Sequence, residues 1–509
     1  MRFLLPVIFF GACADSAATD TGSPGSVGLG QGGAQDFGLF RQILEDGELP
    51  HPDVLDDIGF FAEHKLDYPA ADCGDDVCVH ALGGAMGNMI TGTTCTLVQI
   101  GLNTPLDPRT LERPPLDLVL SIDVSGSMAG GPLDAVKLGL VRMLGHLEAG
   151  DRVTLVTYSD RASVVAERLD PVEDAITLER AIDALAPRGA TNIYDGLFSA
   201  FDLAADMRTP EREARVVMLS DGEATAGLTA PDRLRALAAG YAAEGIGLTT
   251  IGLGQDFDVD VMRGLAEVGA GNFYFLEDPQ AAREVFTEEV DTFLHPVALD
   301  VTIAFSSGPA YTVRRVYGTR GYEGGSGGGV IDMPALFIAG RRTANEPSEG
   351  RRGGGGAILI ELVPKSPTTL ASLQLDDEER AAVGQVSIAW TDPATGERHT
   401  RATHVDNPND PNDPPDGGWF TSATVEKGFV MLNLFTGFEM AARLARDSDP
   451  GAARGVLSEL ASHVRTWLGR HDDADIADDL DYVDLFIANL ARVEQQTPLA
   501  TPPEPWPAD

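Results

Sequence analysis

Positive charge is scarce in this chain. Lys and Arg together number 37 against 78 Asp and Glu, only four of them are Lys, and the formal net charge is −41. A protein that tracks a phosphate backbone needs clustered cations, so nucleic acid is excluded as a partner. Divalent cations and basic partners are accommodated, and a solvated, soluble surface accounts for most of the acidity. Cysteine is scarce too, with four in 509 residues. Cys13 stands apart, while Cys73, Cys78 and Cys95 share one region and read as structural rather than zinc-binding. An oxidising compartment would let one pair of the three bridge, and spacing does not say which. After the first dozen residues no apolar run reaches transmembrane length. Hydrophobic residues still make up 43% of the chain, enough for globular folding, and the length predicts two or three domains.

Against these absences one segment is rich in chemistry. The apolar run Leu116–Ile122 ends in Asp123-Val124-Ser125-Gly126-Ser127. An Asp and two hydroxyls at alternate positions, released just beyond a buried strand, form an open half-shell of hard oxygen ligands suited to Mg²⁺ or Mn²⁺. Two more segments complete the shell. Gly189-Ala190-Thr191-Asn192-Ile193-Tyr194-Asp195-Gly196-Leu197 offers a Thr hydroxyl on a loop that opens a helix, and Val216–Ser220 ends a second apolar strand on Asp221-Gly222. Each piece alone recurs by chance in many loops; the conjunction does not. Helix capping is the structural role open to Ser125 and Ser127, and it is compatible with metal binding.

The order D-x-S-x-S, G-x-T-x-x-x-x-G-L, S-D-G resembles the metal-ion-dependent adhesion site of the von Willebrand factor type A (VWA) family. That resemblance implies an α/β fold with a doubly wound, mostly parallel, Rossmann-like sheet. It implies Asp123, Ser125, Ser127, Thr191 and Asp221 as the metal set, with the three hydroxyls approaching the ion directly and the two carboxylates acting partly through water. The division has a physical basis. Two direct carboxylates would neutralise the divalent charge, whereas neutral hydroxyls keep the ion electrophilic toward a carboxylate from a partner. The implied partner is a protein presenting an acidic side chain. Leu44–Pro50, Asp56–Phe61 and Leu66–Pro69 are likewise similar to the segment preceding the VWA domain in a group of bacterial extracytoplasmic VWA proteins.

The N-terminus has one basic residue, a short apolar core and small residues before Cys13, and it resembles a bacterial lipoprotein signal. Residues 1–12 are then the signal, Cys13 the lipidated residue and 13–35 a flexible Gly/Ser/Ala/Thr tether. The protein would sit outside the cytoplasm, anchored by lipid to the cell envelope and leaning toward the outer membrane because Ala14, not Asp, follows Cys13. Residues 36–115 read as an N-terminal flanking segment, a helix followed by strands. Residues 116–295 alternate strand and helix as a doubly wound sheet does, with strands at 117–123, 152–159, 214–220, 246–252 and 272–276. In such sheets ligands bind beyond the carboxyl ends of the strands, where Asp123 and Asp221 lie. Residues 296–405 form a β-rich unit, a sandwich or open sheet completed by the strands before residue 105, with Gly321–Gly329 and Gly350–Gly356 as mobile loops. Residues 406–420 are a stiff Pro/Asp/Asn linker. Residues 421–495 form a helical segment in which Asp472, Asp473, Asp475, Asp478, Asp479, Asp481 and Asp484 line a solvated face. Residues 496–509 are a tail.

An enzyme needs a base near the ion, and none of the nine His falls within 121–131, 187–195 or 220–227. The residues read as a non-enzymatic binding protein. An envelope scaffold with a structural metal, and a metal-dependent hydrolase using an acid such as Glu223, are the alternatives. Gly324-Gly325-Ser326-Gly327-Gly328 matches a nucleophile elbow only in letters, since no strand-to-helix transition surrounds it.

Overall fold

The computed structural model describes residues 27–31, 33–34, 37–106, 114–209, 211–221, 224–253, 258–276, 285–286, 296–338 and 356–496. In chain order the first elements are β1 (Val27–Gln31), β2 (Gly33–Ala34), α1 (Gly38–Glu45), α2 (Asp57–Ala62), β3 (Cys78–Gly87) and β4 (Thr94–Thr104). The central stretch adds β5 (Leu116–Asp123), α3 (Gly131–Leu144), β6 (Arg152–Tyr158), β7 (Ala162–Leu169), α4 (Ala175–Asp183), α5 (Ile193–Met207), β8 (Glu213–Ser220), α6 (Pro231–Ala243), β9 (Ile246–Leu253), α7 (Val259–Val268) and β10 (Asn272–Leu276). Then come β11 (Pro296–Ser307), β12 (Tyr311–Tyr317), β13 (Tyr322–Gly325), β14 (Gly328–Ile338), β15 (Ile358–Pro364), β16 (Ala382–Thr391), β17 (Arg398–Asp406) and β18 (Trp419–Phe420). Three long helices close the chain, Ala423–Arg446, Pro450–Leu468 and Ala474–Gln496.

Seven strands form one sheet in the order β2-β10-β9-β8-β5-β6-β7, parallel except at the β7 edge. The central strand β5 is buried at all eight positions. A strand covered by helices on both faces has no solvent side, and so reads as an unbroken apolar run. Helices on the two faces enclose separate cores, one holding Leu118, Leu120 and Val136, the other Val119, Leu197 and Phe201. The sequence reading missed β7. It is an edge strand with Val164 and Val165 exposed, so neither face supplies the alternation that marks a half-buried strand. The helix expected after β10 lies largely outside the described residues.

The remaining eleven strands form a second sheet around a shared apolar core. Within it β1 runs antiparallel between β4 and β14, with Val27–Leu29 against Leu102–Thr104 and Leu29–Gln31 against Leu336–Ile338. Two residues later β2 pairs with β10 in the other sheet. This corrects the expected tether through residue 35: Val27–Gln31 and Gly33–Ala34 are strands, because neighbours satisfy their backbone and Leu29 fills the core. Residues 36–115, 296–405 and 421–495 are not separate units either. The strands β3 and β4 lie in the second sheet, while Phe40 and Phe60 from α1 and α2 pack on Phe438 and Phe435 of the first long helix, with ring centroids 4.8 and 5.7 Å apart.

Three further expectations change. Gly321–Gly329 is an ordered hairpin, Tyr322 to Gly325 pairing with Ile331 to Gly328; Gly350–Gly355 lies outside the described residues. The 406–420 stretch is docked rather than a spacer, since buried Asn407 donates to Tyr311 Oη and Asn412 to the Lys365 carbonyl. The acidic face of the last helix is partly interior. Asp475 pairs with Lys427 at 3.1 Å and Asp479 with buried His64 at 2.8 Å, as a carboxylate placed in a core requires. Of the three thiols sharing a region, Cys73 and Cys78 form the disulfide and Cys95 is buried and reduced.

Buried charge joins the two sheets. Asp56, which caps α2, lies 3.3 Å from Arg263 of α7 and 3.1 Å from Arg320 beyond β12, and Arg320 reaches Glu267 of α7 at 3.1 Å. Asp57 accepts the Gly318 N–H at 2.7 Å. Burial pushes the Glu267 carboxyl up to about 7 against the pull of Arg320, and burial with the neighbouring Asp56 charge pushes Asp57 up to about 6. Both exceed the unfolded carboxylate values of about 4, so the folded chain holds protons that the unfolded chain has released. The stability these two groups contribute is complete in acid and is lost as pH rises through about 6 to 7. The thermal midpoint is therefore expected to fall between about pH 5.5 and about pH 8, and Glu267→Gln to flatten the upper part of that fall. A melting series in which the variant tracks the parent would remove Glu267 from this account.

Candidate metal centre

Parallel pairing of β5 with β8 sets Ile122 opposite Leu219, so both strands end side by side and release Asp123 and Asp221 at the same sheet edge. Asp123 is fully buried and both its oxygens are engaged. Its Oδ1 accepts the Ser125 N–H at 2.7 Å, and its Oδ2 accepts the Ser220 hydroxyl at 2.7 Å. Beyond it Gly126–Met128 forms a single 3-10 turn. That turn brings Ser125 Oγ to 3.0 Å from Ser127 Oγ, and Ser127 Oγ donates to Asp221 Oδ1 at 2.9 Å.

Thr191 is held between the two strand-end loops. On one side, the Gly126 N–H bonds the Gly189 carbonyl at 3.1 Å and the Arg188 N–H bonds the Val124 carbonyl at 2.6 Å. On the other, the Thr191 N–H donates to Thr225 Oγ1 at 2.9 Å, and the Thr191 carbonyl accepts the Thr225 and Ala226 N–H groups. Its own hydroxyl makes no hydrogen bond to a described residue. Asn192 then caps α5 by accepting the Asp195 N–H.

The donor set fits a small hard cation. Octahedral Mg²⁺ holds oxygens at about 2.1 Å, which places neighbouring ligands about 3 Å apart. The Ser125–Ser127 and Ser127–Asp221 separations of 3.0 and 2.9 Å match that edge. Among the described residues no group of three or more His, Cys, Asp or Glu forms an alternative cage. Asp123, with both oxygens occupied, is placed to orient Ser125 and act through water; Ser125, Thr191 and Asp221 are themselves buried, and Ser127 is the exposed member of the set. Burial raises the Asp123 carboxyl above its usual range, opposed by the Ser220 and Ser125 hydrogen bonds. Behind it, burial first and then the Asp123 charge push the Tyr158 hydroxyl well above its own range, so it remains a neutral donor to the Leu219 carbonyl at 3.2 Å.

All five candidate ligands lie in the described structure on three adjoining loops; Cys13 and Glu223 lie outside it. Sequence reasoning passed over Ser220, Tyr158 and Thr225. Ser220 stood inside the S-D-G motif, and its neighbour Asp221 drew the attention. Tyr158 ends an apolar strand and carried no separate signal. Gly324–Gly328 forms a hairpin turn, as its lack of a strand-to-helix transition required.

Two glycines of the second motif are steric requirements. Gly189 has φ +70°, and a Cβ there would lie 2.3 Å from Asp160 Oδ2; a Cβ at Gly196 would lie 2.6 Å from the Tyr158 ring. Gly196→Ala must push Tyr158 off the back of the site, an overpacking expected to lose about 1–3 kcal/mol in urea unfolding. An unshifted midpoint would mean that the ring moves aside freely.

The von Willebrand factor type A domain model matches residues 117–288. An uncharacterized protein of Synechocystis sp. is 33% identical over 178 residues, 35% of this chain and 41% of that protein. The uncharacterized protein YfbK of Escherichia coli is 26% identical over 293 residues, 56% of this chain and 50% of that protein. The chain thus spans half or less of the length of these curated relatives. A solved structure, von Willebrand factor type A from Catenulispora acidiphila, aligns with a TM-score of 0.48 at 15% identity, covering 76% of this chain and 85% of that one. With three motif segments on adjoining strand-end loops of a doubly wound sheet, and a family model that matches all of that sheet but its β2 edge, residues 117–288 are a VWA domain.

Proposed function

We propose that the protein is a divalent-cation-dependent binding protein of the bacterial cell envelope, serving adhesion or complex assembly. Its VWA domain would receive a carboxylate from a protein partner. The observation that carries the reading is the oxygen edge Ser125–Ser127–Asp221, spaced for one octahedral ion. Ser125, Ser127 and Thr191 would hold Mg²⁺ or Mn²⁺ directly, and Asp123 and Asp221 would support them partly through water. The ion supplies a Lewis-acidic position; the chain's residues fix it without neutralising it. An acidic partner side chain is the complement such a position favours. Binding is favoured over hydrolysis because no His stands in the three loops, and Ser220 and Ser125 already engage the Asp123 carboxylate.

The Cys73–Cys78 disulfide supports a location outside the reducing cytoplasm. Cys13 would carry the lipid, with the chain before Val27 as the tether and the outer membrane as the destination. No described helix is long and apolar enough to cross a membrane. Cys13→Ser is expected to move the protein from the membrane to the soluble fraction while its melting curve stays unchanged; retention in the membrane fraction would remove the anchor.

The site is tested by melting and by capture. Mg²⁺ is expected to raise the thermal midpoint of the parent, by about 3 kcal/mol of added stability at a hundredfold excess over Kd, and not that of Ser127→Ala or Asp221→Ala. On the immobilised Cys13→Ser protein, an envelope partner should be retained in Mg²⁺ and released by EDTA or by a further Asp123→Ala change. The same partner held in every condition would turn the site into a structural centre. Turnover abolished by Asp221→Ala would favour the hydrolase.

A further inference from the structure

Beside the candidate ion, the domain exposes apolar surface that its core does not require. Phe198 is 42% exposed and Leu228 is 40% exposed, and Phe198 is the one aromatic among the exposed large apolar side chains of the described residues. A lone exposed Leu is ordinary, whereas an exposed aromatic next to a binding site is the composition of an interface anchor.

Both side chains are fixed to the loop that presents Thr191. The helix α5 starts two residues after Thr191, and Tyr194 and Phe198, one turn apart on it, stack with centroids 6.0 Å apart and planes within 16°. Leu228 ends the segment whose Thr225 and Ala226 N–H groups bond the Thr191 carbonyl. Its neighbour Gly227, at φ +72°, is pressed against the Asn192 amide, where a Cβ would lie 2.2 Å from Oδ1. Below them Phe201 stacks on Tyr241 at 4.6 Å and closes the seam between α5 and α6. Helical rise places Phe198 about 7.5 Å along α5 from Ile193, and the two residues back to Thr191 bring the separation to about 10 Å.

We propose that this patch is the specificity surface of the metal site, and that it selects one kind of partner. The partner is an extended protein segment carrying a carboxylate for the ion and a large apolar side chain on the same side, about 10 Å away. In a strand or polyproline conformation that distance is roughly two to four residues. The exposed Phe198 and Leu228 side chains favour an apolar second anchor. Asp195, Asp202 and Asp206 lie along α5, so a second acidic side chain near Phe198 would be repelled. The inference rests on the carboxylate-receptor reading of the site and adds a partner pattern to it.

Labelled synthetic peptides test it by fluorescence anisotropy in Mg²⁺ and in EDTA. The panel holds one Asp and one Phe at separations inside and well beyond that range, with Asp→Asn and Phe→Ser controls. The proteins are the parent, Asp123→Ala, and the exposed variants Phe198→Ser and Leu228→Ser, whose melting curves should match the parent. The expected result is a preference of about tenfold for the properly spaced Asp–Phe peptide over its Phe→Ser control. That preference should vanish in Phe198→Ser, while Mg²⁺-dependent binding of the Asp peptides persists. Peptides that bind through Mg²⁺ and Asp123 without regard to Phe, or with no dependence on spacing, would overturn the patch and leave the metal reading standing. A Phe preference undiminished by EDTA and by Asp123→Ala would overturn the carboxylate receptor, and with it the inference. Absence of any Phe preference in every condition also overturns it.

Discussion

The hydrogen bond from Ser220 to the buried carboxylate of Asp123 is the constraint on which the site depends. It joins the ends of two adjacent parallel strands, and it leaves the other Asp123 oxygen to accept the Ser125 N–H. A carboxylate buried this deeply is tolerated only when such partners surround it. The 3-10 turn that follows starts from this fixed point and sets Ser127 Oγ 3.0 Å from Ser125 Oγ and 2.9 Å from Asp221 Oδ1. Tyr158 fills the space behind, and Gly196 gives its ring room. The metal set is therefore backed by a packed interior and does not depend on the ion alone for its shape.

That interior is tied to the rest of the chain in three ways. The segment 27–34 is sheet on both sides of one short crossing, with β1 in the eleven-stranded sheet and β2 in the seven-stranded one. Leu39 of α1 packs with Met262, Ala266, Phe273 and Phe275 of the VWA domain. Asp56, Arg263, Arg320 and Glu267 add charge contacts at the same junction. Apolar burial gives this junction its stability, and the buried ions make it particular, because their desolvation is offset only when all four meet. A partner held at the VWA face would thus act on a domain seated in a larger body, and the tether proposed from Cys13 would join that body at β1.

The candidate metal residues could be picked out because hard-ligand chemistry needs named side chains at fixed spacings, and those spacings survive in one dimension. Asp123, Ser125 and Ser127 follow a strand directly, and Thr191 opens a helix. The parallel strands were legible for a similar reason: burial on both faces leaves an unbroken apolar run, as in β5 and β8. Where that signature is absent the reading failed. The edge strand β7 buries only Ala166 and shows no apolar alternation, and the Gly-rich β1 carries little side-chain pattern. The Gly321–Gly329 run became a hairpin because its backbone found a neighbouring ladder, which composition does not announce.

The sequence by itself determined the doubly wound domain, its metal motif and the strand ends that carry it, since periodicity and ligand spacing are local properties. Tertiary structure alone decided which distant segments share a sheet, and so that residues 27–31, 78–104, 296–338 and 356–406 build one body with the C-terminal helices. It also decided that Asp475 and Asp479 lie in a core facing Lys427 and His64 rather than in water. Pairing partners, burial of charge and the choice of Cys73 with Cys78 depend on contacts between residues far apart in the chain, and no local pattern encodes them.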